Sequence, residues 1–572
     1  MGSKNTTDYI LETLKNEGVT HVFLVPGFLI DPFLSGFARN SQLCPIIAAH
    51  EEGAAYMADG YARASGLFGA VICIGGPGVT NTTTAIAVAS ADRIPVFLIS
   101  GDVPVHWQGR GFLQDSTLAG INETAILSSV TRMQLDLPCV ELLEHHCQTL
   151  LRKMYSPAAP GPVHLMIAED IQQKEVPQKI PKKLPSIVHK QRILDHSTLP
   201  EVWQHLSARK KIMIIAGAGV TSSDASKELI IFAERYAIPV ATTSTGKGVF
   251  PENHPLSLGC AGWFGSRWAN ETLISGEVEV LIILGSRLSM MDLCVIKKDP
   301  VKQVLIANDI NFDSIFRSFT VDVPVLGDCQ EFLKTLNNTM DATMQAVQAH
   351  NATRNQWLVS IKNQGTRVYF PENCLSTMVP IHPARVIHEL RQIMPTNTIL
   401  TVDNGAHTLF VGHYWETYGP REFFTSLSHM GSVGWGVPAG IGISIARPDA
   451  PSVIITGDGC MLMNGVEIQT AARYNLPIIV IVINNSAYGN PNLRSKTVGV
   501  IEDQLTLLPS HDFAAFARAL GAEGFTVDKP EELSSTFLKA LSLKKTVLVD
   551  VKCGNYPTPT KIFDHGLKFS SY

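Results

Sequence analysis

The chain has 572 residues, which is too long for one hydrophobic core and predicts about three domains. Hydrophobic residues make up 45% and charged residues 17%, as in a folded protein rather than a disordered one. The net charge of −5 argues against a nucleic-acid or anionic-membrane partner. No apolar stretch reaches transmembrane length, and ten irregularly spaced cysteines without an export signal predict free thiols in the cytoplasm.

Residues 1–176 alternate short β-rich runs with helical patterns. Residues 21–25 and 45–49 predict strands, and residues 52–64 predict a helix rich in Ala and Gly. Strands that alternate with helices are typical of the doubly wound α/β architecture. We therefore predict a first α/β domain, in which Glu51 follows a strand among apolar and small residues; a solvent-facing glutamate at a helix start is the alternative.

The middle of the chain begins after a linker rich in Lys and Pro, and residues 196–340 predict a second α/β domain. Its strand at residues 211–216 leads into the turn Gly217-Ala218-Gly219, which could hold a nucleotide phosphate. The third glycine of that pattern is missing, so a purely structural turn stays an alternative.

The third α/β domain, at residues 377–560, carries the most informative pair of motifs. Gly457-Asp458-Gly459 ends one apolar run, and Asn484-Asn485 ends the next. A right-handed crossover makes such strands parallel, with both carboxyl ends on one edge of the sheet. Asp458 and Asn485 should therefore meet. Carboxylate and amide oxygens suit magnesium, and the glycines let the backbone approach a diphosphate. A turn and a loop without any ligand are the alternative.

These two motifs resemble the thiamin diphosphate signature of the acetohydroxyacid synthase and pyruvate decarboxylase superfamily. The resemblance covers nearly the whole chain. It implies an α/β fold of three doubly wound parallel-sheet domains, of which the first binds the pyrimidine and the last the diphosphate of thiamin diphosphate. It also implies Mg²⁺ ligation by Asp458, the Asn485 side chain and the Ala487 carbonyl.

The resemblance assigns further cofactor contacts. Residues 50–63 are similar to the stretch with the cofactor-activating glutamate, so Glu51 would hydrogen-bond the pyrimidine nitrogen and act in general acid–base catalysis. Val433 would be the apolar wedge that bends the cofactor. A surface position or a core contact stays an alternative for His407. The other implied cofactor contacts are Gly76, Asn81, Ala406, His407, Gly431, Gly457, Gly459, Cys460 and Gly489.

The same resemblance implies an enzyme that decarboxylates a 2-oxo acid and joins the remaining acyl unit to a second carbonyl compound, as acetolactate synthases do. Gln114 fits the synthase pattern and is a candidate catalytic residue, whereas the decarboxylases' adjacent His-His pair is missing at His106. Phe28 and Arg494 depart from the synthase pattern and are candidate substrate residues. A surface position is the alternative for Gln114, and a side chain that points to solvent is the alternative for Arg494. A decarboxylase, lyase or oxidase on the same site, or a non-catalytic scaffold, are the alternatives.

Two further expectations concern the assembly. In the synthases the central domain carries FAD. Residues 285–292 are similar to the flavin-binding stretch of the synthases and keep one of its arginines as Arg287, but Met291 stands in place of the second. FAD, ADP and no ligand therefore all stay open for this domain. Glu51 and Asp458 lie in different domains, and in this superfamily they come from two subunits that face one cofactor. The resemblance therefore implies a homodimer or homotetramer.

Overall fold

Three parallel β-sheets organise the protein. The computed structural model describes residues 4–40, 42–157, 159–177, 181, 183–185, 192–296, 301–339, 342–427, 429–497 and 503–559. Each sheet has six strands, and all strand pairs within the sheets are parallel. The predicted α/β fold class is therefore confirmed. Each predicted domain contains one sheet, while the domain boundaries themselves stay a prediction.

The strand orders are β2-β1-β3-β4-β6-β5, β12-β11-β10-β7-β8-β9 and β14-β13-β15-β16-β18-β17. The strands are β1 His21–Leu24, β2 Cys44–Ile47, β3 Gly69–Ile74, β4 Val96–Asp102, β5 Met133–Asp136, β6 Val163–Ala168, β7 Ile212–Ala216, β8 Val240–Thr242, β9 Ser257–Cys260, β10 Val280–Leu284, β11 Val304–Asp309, β12 Val323–Leu326, β13 Ile399–Val402, β14 Phe423–Phe424, β15 Ser452–Gly457, β16 Ile478–Asn484, β17 Glu523–Val527 and β18 Val547–Lys552.

Helices flank the sheets, and none in the described ranges is both long and apolar enough to cross a membrane. The α-helices are Thr6–Asn16, Asp31–Arg39, Glu51–Ser65, Pro77–Asp92, Glu123–Leu127, Leu143–Met154, Glu169–Gln172, Leu199–Ala208, Ala218–Ser222, Ser226–Tyr236, Arg267–Ile274, Met290–Leu293, Phe312–Ile315, Cys329–Asn338, Ala342–Gln348, Asn351–Lys362, Pro383–Ile393, Ala406–Tyr414, Gly436–Ala446, Asp458–Asn464, Ile468–Arg473, Gly489–Thr497, Phe513–Ala519 and Leu533–Leu543.

The connection between β15 and β16 differs from the continuous helix that its apolar spacing indicates. The α-helix ends at Asn464, a 3₁₀ turn spans Gly465–Glu467, and a new helix begins at Ile468. The carboxylate of Glu467 accepts the backbone N–H groups of Ala49 and His50 at 3.1 and 3.0 Å. These two hydrogen bonds hold the turn against the N-terminal domain.

The apolar residues of that connection do not share one buried face. Ile468 and Ala471 are buried, but the Leu462 and Val466 side chains are 47% and 38% exposed. Val466 lies within the 3₁₀ turn, so the four residues cannot form one continuous helical stripe.

Glycines bring the N-terminal and C-terminal domains into close contact. The helices Glu51–Ser65 and Gly436–Ala446 pack directly against each other. A Cβ atom at Gly60 would lie 2.1 Å from the Ala439 carbonyl oxygen, and one at Gly442 would lie 1.9 Å from that of Met57. Only hydrogen fits at these two points, so the glycines fix how the two domains meet.

This contact predicts that Gly60→Ala destabilises the protein, whereas the same substitution in a helix ordinarily stabilises it. Inside a helix, Gly to Ala ordinarily stabilises by roughly 0.5–1 kcal/mol. Here the methyl group overlaps a backbone oxygen of the facing helix, and overpacking of this kind costs about 1–3 kcal/mol. We therefore expect the thermal unfolding midpoint to fall. A raised midpoint would show that the helices do not meet at Gly60.

Candidate active site

The carboxyl edge of the C-terminal sheet brings Asp458 and Asn485 together. β15 and β16 are neighbours in register, with Gly457 opposite Ile483, so the residues that follow them leave the sheet side by side. The backbone N–H of Ala487 donates to Asp458 Oδ2 at 3.1 Å. The three predicted metal ligands therefore lie in one place.

The Asp458 carboxylate is held by backbone groups in a buried environment. Its Oδ1 accepts the N–H of Gly459 at 2.8 Å, and the residue is 3% exposed. Burial raises the pKa of Asp458 to about 6, although the hydrogen bonds from Gly459 and Ala487 oppose the rise. Among the described residues, no Lys, Arg or His lies in an ion pair with it. The site thus offers a cation a buried carboxylate without a countercharge.

A cavity of about 260 Å³ opens at this edge. All of the C-terminal residues predicted for cofactor, metal or substrate line it, namely Ala406, His407, Gly431, Val433, Gly457, Asp458, Gly459, Cys460, Asn485, Ala487, Gly489 and Arg494. The sequence therefore identified residues of one cavity from segments up to 88 positions apart in the chain, from Ala406 to Arg494.

His407 brings an unsatisfied polar atom to the cavity. Its side chain is buried, and in the described part of the chain its Nε2 has no hydrogen-bond partner. Burial lowers the pKa of His407 to about 4, so its ring is neutral at neutral pH. A buried ring nitrogen of this kind is costly unless something binds it, which favours a ligand at this point.

Two residues that the sequence did not single out hold the loop with Gly431 and Val433. Asn404 Nδ2 donates to the Ser432 carbonyl at 2.5 Å, and Asp403 Oδ1 accepts the Gly434 N–H at 3.0 Å. Burial raises the pKa of Asp403 to about 6. Both residues follow β13, and their contacts with a loop about 30 positions away could not be inferred from spacing.

Asn555 was also missed, although a signal was present. Asn485 Nδ2 donates to Asn555 Oδ1 at 3.4 Å, which orients the Asn485 amide. Asn555 follows β18, which neighbours β16, so the rule that strand ends share one edge also applies to it. No sequence motif marked it, whereas Asn484-Asn485 stood out as a pair.

The N-terminal domain carries the other predicted group of residues. Glu51 begins the helix Glu51–Ser65, and Asn81 Nδ2 donates to Glu51 Oε2 at 2.9 Å. A Cβ atom on Gly76 would lie 3.7 Å from both Cα and Cβ of Gln114. The order β2-β1-β3-β4 therefore places Glu51, Phe28, Gly76 and Gln114 along one sheet edge.

The segment with Gln114 is held in a strained conformation. Gln114 has a φ of +63°, which is uncommon for a residue with a side chain. Asp115 fixes the segment, because its two carboxylate oxygens accept the Gly109 N–H at 2.7 Å and the Thr117 hydroxyl at 2.6 Å. Strain that is maintained in this way is frequent at functional sites.

Phe28 belongs to an exposed aromatic cluster beside Gln114. Its ring stacks on Phe112 with ring centroids 6.2 Å apart, and the ring centroids of Trp107 and Phe112 are 5.6 Å apart. Phe28 is 55% exposed and Trp107 is 43% exposed. The exposed rings of Phe28 and Trp107 therefore belong to an apolar patch on the surface of the chain.

The two groups of residues do not form one site within a single chain. Among the described residues, those lining the C-terminal cavity include neither Glu51 nor Asn81, Gln114 or Phe28. The helix Glu51–Ser65 instead packs on the Gly436–Ala446 helix of its own chain. Within one chain, Glu51 and the cavity at Asp458 therefore belong to separate groups of residues.

The residues of the central domain that could hold a nucleotide are engaged with protein. Arg287 Nη2 donates to the Ala91 carbonyl at 2.9 Å, and Met291 is buried. The space beside Arg287 measures about 10 Å³, roughly one water molecule. A Cβ atom on Gly219 would lie 2.6 Å from the Gly285 Cα, so that turn packs against protein backbone.

Comparisons with known proteins agree with this arrangement. Models of the thiamine pyrophosphate enzyme N-terminal TPP binding domain, central domain and C-terminal TPP binding domain match residues 4–121, 199–336 and 403–551. A probable acetolactate synthase large subunit of Methanococcus aeolicus is 30% identical over 566 residues, covering 96% of this chain and 91% of that protein. The chain belongs to the thiamine pyrophosphate enzyme family.

Further members of the thiamine pyrophosphate enzyme family are similar over nearly their whole length. The acetolactate synthase isozyme 3 large subunit of Escherichia coli is 28% identical, covering 95% of this chain and 94% of that protein. A putative thiamine pyrophosphate-containing protein of Bacillus subtilis is 28% identical, covering 100% and 96%. The resemblance that the motifs indicated is confirmed.

The residues present fit the cofactor of a thiamine pyrophosphate enzyme. Within the described part of the chain, Asp458 offers a buried carboxylate without a countercharge, and His407 offers an unpaired ring nitrogen. A Cβ atom on Gly459 would lie 2.9 Å from the Tyr488 ring, and one on Gly489 would lie 2.9 Å from Ala406, so both glycines pack closely against other residues that line the cavity.

Proposed function

We propose that the protein is a thiamin diphosphate- and Mg²⁺-dependent carboligase that decarboxylates a 2-oxo acid and joins the acyl unit to a second carbonyl compound. The observation that carries the proposal is the buried, uncompensated Asp458 carboxylate beside Asn485 in a cavity lined by the expected cofactor residues. The relatives named acetolactate synthase support the same reaction class.

In this proposal the chain's own residues bind and orient. Asp458, Asn485 and the Ala487 carbonyl would hold Mg²⁺, since hard oxygen ligands suit that ion. Gly431 and Val433 would receive the pyrimidine side of the cofactor. When bound, thiamin diphosphate supplies a carbanion that adds to the substrate carbonyl and stabilises the charge left after decarboxylation. Glu51 would hold and move the proton at the pyrimidine nitrogen.

Gln114 distinguishes carboligation from simple decarboxylation in this proposal. Its left-handed backbone is fixed by Asp115, so its Cα and Cβ atoms have a defined position beside Gly76. An amide there can donate to a substrate oxygen without changing charge. Phe28 and Arg494 would shape the acceptor side, Phe28 through its exposed ring and Arg494 from the rim of the cavity.

Product analysis tests this function. The protein would be incubated with pyruvate, thiamin diphosphate and Mg²⁺, and products would be identified by mass spectrometry. We expect acetolactate or another product of carbon–carbon bond formation. Acetaldehyde as sole product would indicate a decarboxylase, and acetate with peroxide an oxidase. If a panel of 2-oxo acids and aldehydes gives no product although the cofactor binds, a scaffold role replaces the proposal.

We also propose a homodimer, or a homotetramer built from such dimers, as the active form. Apolar side chains are exposed near both groups of site residues, and contiguous exposed apolar surface marks an interface. They are Phe28, Trp107, Leu113, Leu118 and Ile121 in the N-terminal domain and Met430, Leu462, Met463 and Val466 in the C-terminal domain. A dimer that joins these two surfaces would place Glu51 of one chain at the cavity of the other.

The proposal leaves FAD, ADP and no ligand open for the central domain. We place the protein in the cytoplasm, because all ten cysteines are free thiols, which suits a reducing compartment.

A further inference from the structure

The helix Glu51–Ser65 holds a part of the C-terminal domain at two points. Tyr56 and Asp59 are three positions apart on this helix and therefore lie on one face of it. The Tyr56 hydroxyl is 2.7 Å from the Ser432 hydroxyl, and the indole N–H of Trp435 donates to Asp59 Oδ2 at 2.8 Å. Tyr56, Asp59 and Trp435 are buried. These contacts tie the C-terminal domain to the N-terminal domain of the same chain.

The residue that Tyr56 contacts lies in a short loop of the cavity wall. Residues 431–434 form this cavity loop, and Gly431 and Val433, on either side of Ser432, line the cavity. Gly431 and Gly434 have φ angles of +63° and +89°, which glycine adopts without a steric penalty. Glycines at both ends leave the backbone between them with alternative conformations. The contacts of Ser432 therefore decide which conformation the cavity loop adopts.

The cavity loop is held from two domains. Asn404 and Asp403, which follow β13, bind its backbone at the Ser432 carbonyl and the Gly434 N–H, at 2.5 and 3.0 Å. Among the described residues, the hydrogen bond between Ser432 and Tyr56 is the one by which a side chain of this loop reaches the N-terminal domain. Loss of that bond would leave the loop held from the C-terminal domain alone.

The contact joins two uncharged hydroxyl groups. Burial, and after it the nearby Glu52 carboxylate, raise the pKa of Tyr56 above its usual value, although the hydrogen bond with Ser432 opposes the rise. The phenol therefore keeps its proton. A buried hydroxyl that loses a hydrogen-bond partner costs free energy, so each of the two hydroxyls favours the position in which it meets the other.

We propose that Tyr56 is a positioning residue whose hydroxyl, by binding Ser432, holds the cavity loop where the Gly431 carbonyl and the Val433 side chain meet the cofactor's pyrimidine. The inference rests on the cofactor site proposed above. Without the contact the loop samples further conformations, and cofactor binding has to restrict them at a cost in conformational entropy. Loss of either hydroxyl therefore weakens cofactor binding.

Cofactor titrations test this proposal without turnover. Thiamin diphosphate would be titrated at saturating Mg²⁺, with intrinsic fluorescence as the readout. The variants are Tyr56→Phe, Ser432→Ala, the double variant of these two, and Ser432→Thr, which keeps the hydroxyl. Tyr474→Phe is the matched control, since the Tyr474 hydroxyl accepts the Ile47 N–H at 2.8 Å and so joins the same two domains at another place.

We expect Tyr56→Phe and Ser432→Ala each to lower the affinity for thiamin diphosphate about three- to tenfold. The double variant should lose no more than the weaker-binding single variant, because both substitutions remove one contact. This comparison also separates the contact with Ser432 from Glu52, the other neighbour of the Tyr56 hydroxyl. Ser432→Thr and Tyr474→Phe should bind the cofactor as the parent does.

Two results would overturn the inference. One is an affinity of Tyr56→Phe equal to that of the parent, and the other is a double variant in which the two single losses multiply. If Tyr56→Phe does not fold, a Ser432→Ala variant that binds as tightly as Ser432→Thr would overturn it as well. An absence of saturable binding by the parent would instead refute the proposed cofactor site.

Discussion

Replacing Glu51 by Gln should lower kcat about 10²- to 10⁴-fold and leave thiamin diphosphate binding nearly unchanged. The amide keeps the shape of the side chain and can still accept the hydrogen bond from Asn81, but it cannot exchange a proton with the pyrimidine nitrogen. Steady-state kinetics with pyruvate and a fluorescence titration with the cofactor would be run on the same preparation.

Glu52→Gln is the matched control for this variant. Glu52 is the next residue on the same helix, and its Oε2 accepts the Asn464 Nδ2 at 3.3 Å, which an amide oxygen can also do. We expect its rate to stay within about twofold of the parent, since the amide keeps this part-buried hydrogen bond. Equal losses in both variants would mean that the helix start, and not the Glu51 proton, is what matters.

Asp458→Ala should abolish the stabilisation that Mg²⁺ and thiamin diphosphate together give the parent protein. Groups that merely orient a metal ligand are worth 10- to 100-fold in affinity, so removing a ligand itself should cost at least about 100-fold. The measurement is the rise of the thermal unfolding midpoint when Mg²⁺ and thiamin diphosphate are added together, because ligands that bind the folded state raise this midpoint. Addition of EDTA to the parent should produce the same loss.

Asp449→Ala provides the comparison. Asp449 precedes β15, at the opposite edge of the same sheet, and pairs with Arg447 on the surface at 2.9 Å. Exposed pairs of this kind contribute less than about 1 kcal/mol, so cofactor stabilisation should be unaffected. If Asp458→Ala retains the full shift, the cofactor's diphosphate is anchored elsewhere.

Local patterns in the sequence were sufficient for the α/β fold class and for the meeting of Asp458 and Asn485, whereas the other residues of the C-terminal cavity came from the family resemblance. β15 and β16 are apolar on both faces, as buried parallel strands are, and their ends therefore predicted the meeting of Asp458 and Asn485. Strand ends on one edge of a parallel sheet converge whatever the intervening sequence. The family resemblance supplied roles for individual residues.

What the sequence could not supply depends on contacts between distant segments. The helix after β15 breaks because Glu467 binds the backbone at Ala49 and His50, more than 400 positions away. The contact of His429 with Asp92 is of the same kind, since nothing near either residue marks the other. The close approach of Gly60 to the Ala439 carbonyl joins residues 379 positions apart and likewise has no local signal.

Subunit complementation tests the central claim most directly, namely that Glu51 of one chain acts on the cofactor held by Asp458 of another. Glu51→Gln and Asp458→Ala chains with different affinity tags would be coexpressed, and the heterodimer would be isolated through both tags. In that heterodimer one of the two sites combines an intact Glu51 with an intact Asp458. We therefore predict about half the rate of the parent dimer, although each variant is inactive by itself. A heterodimer as inactive as the variants themselves would show that each chain completes its own site and would contradict the account.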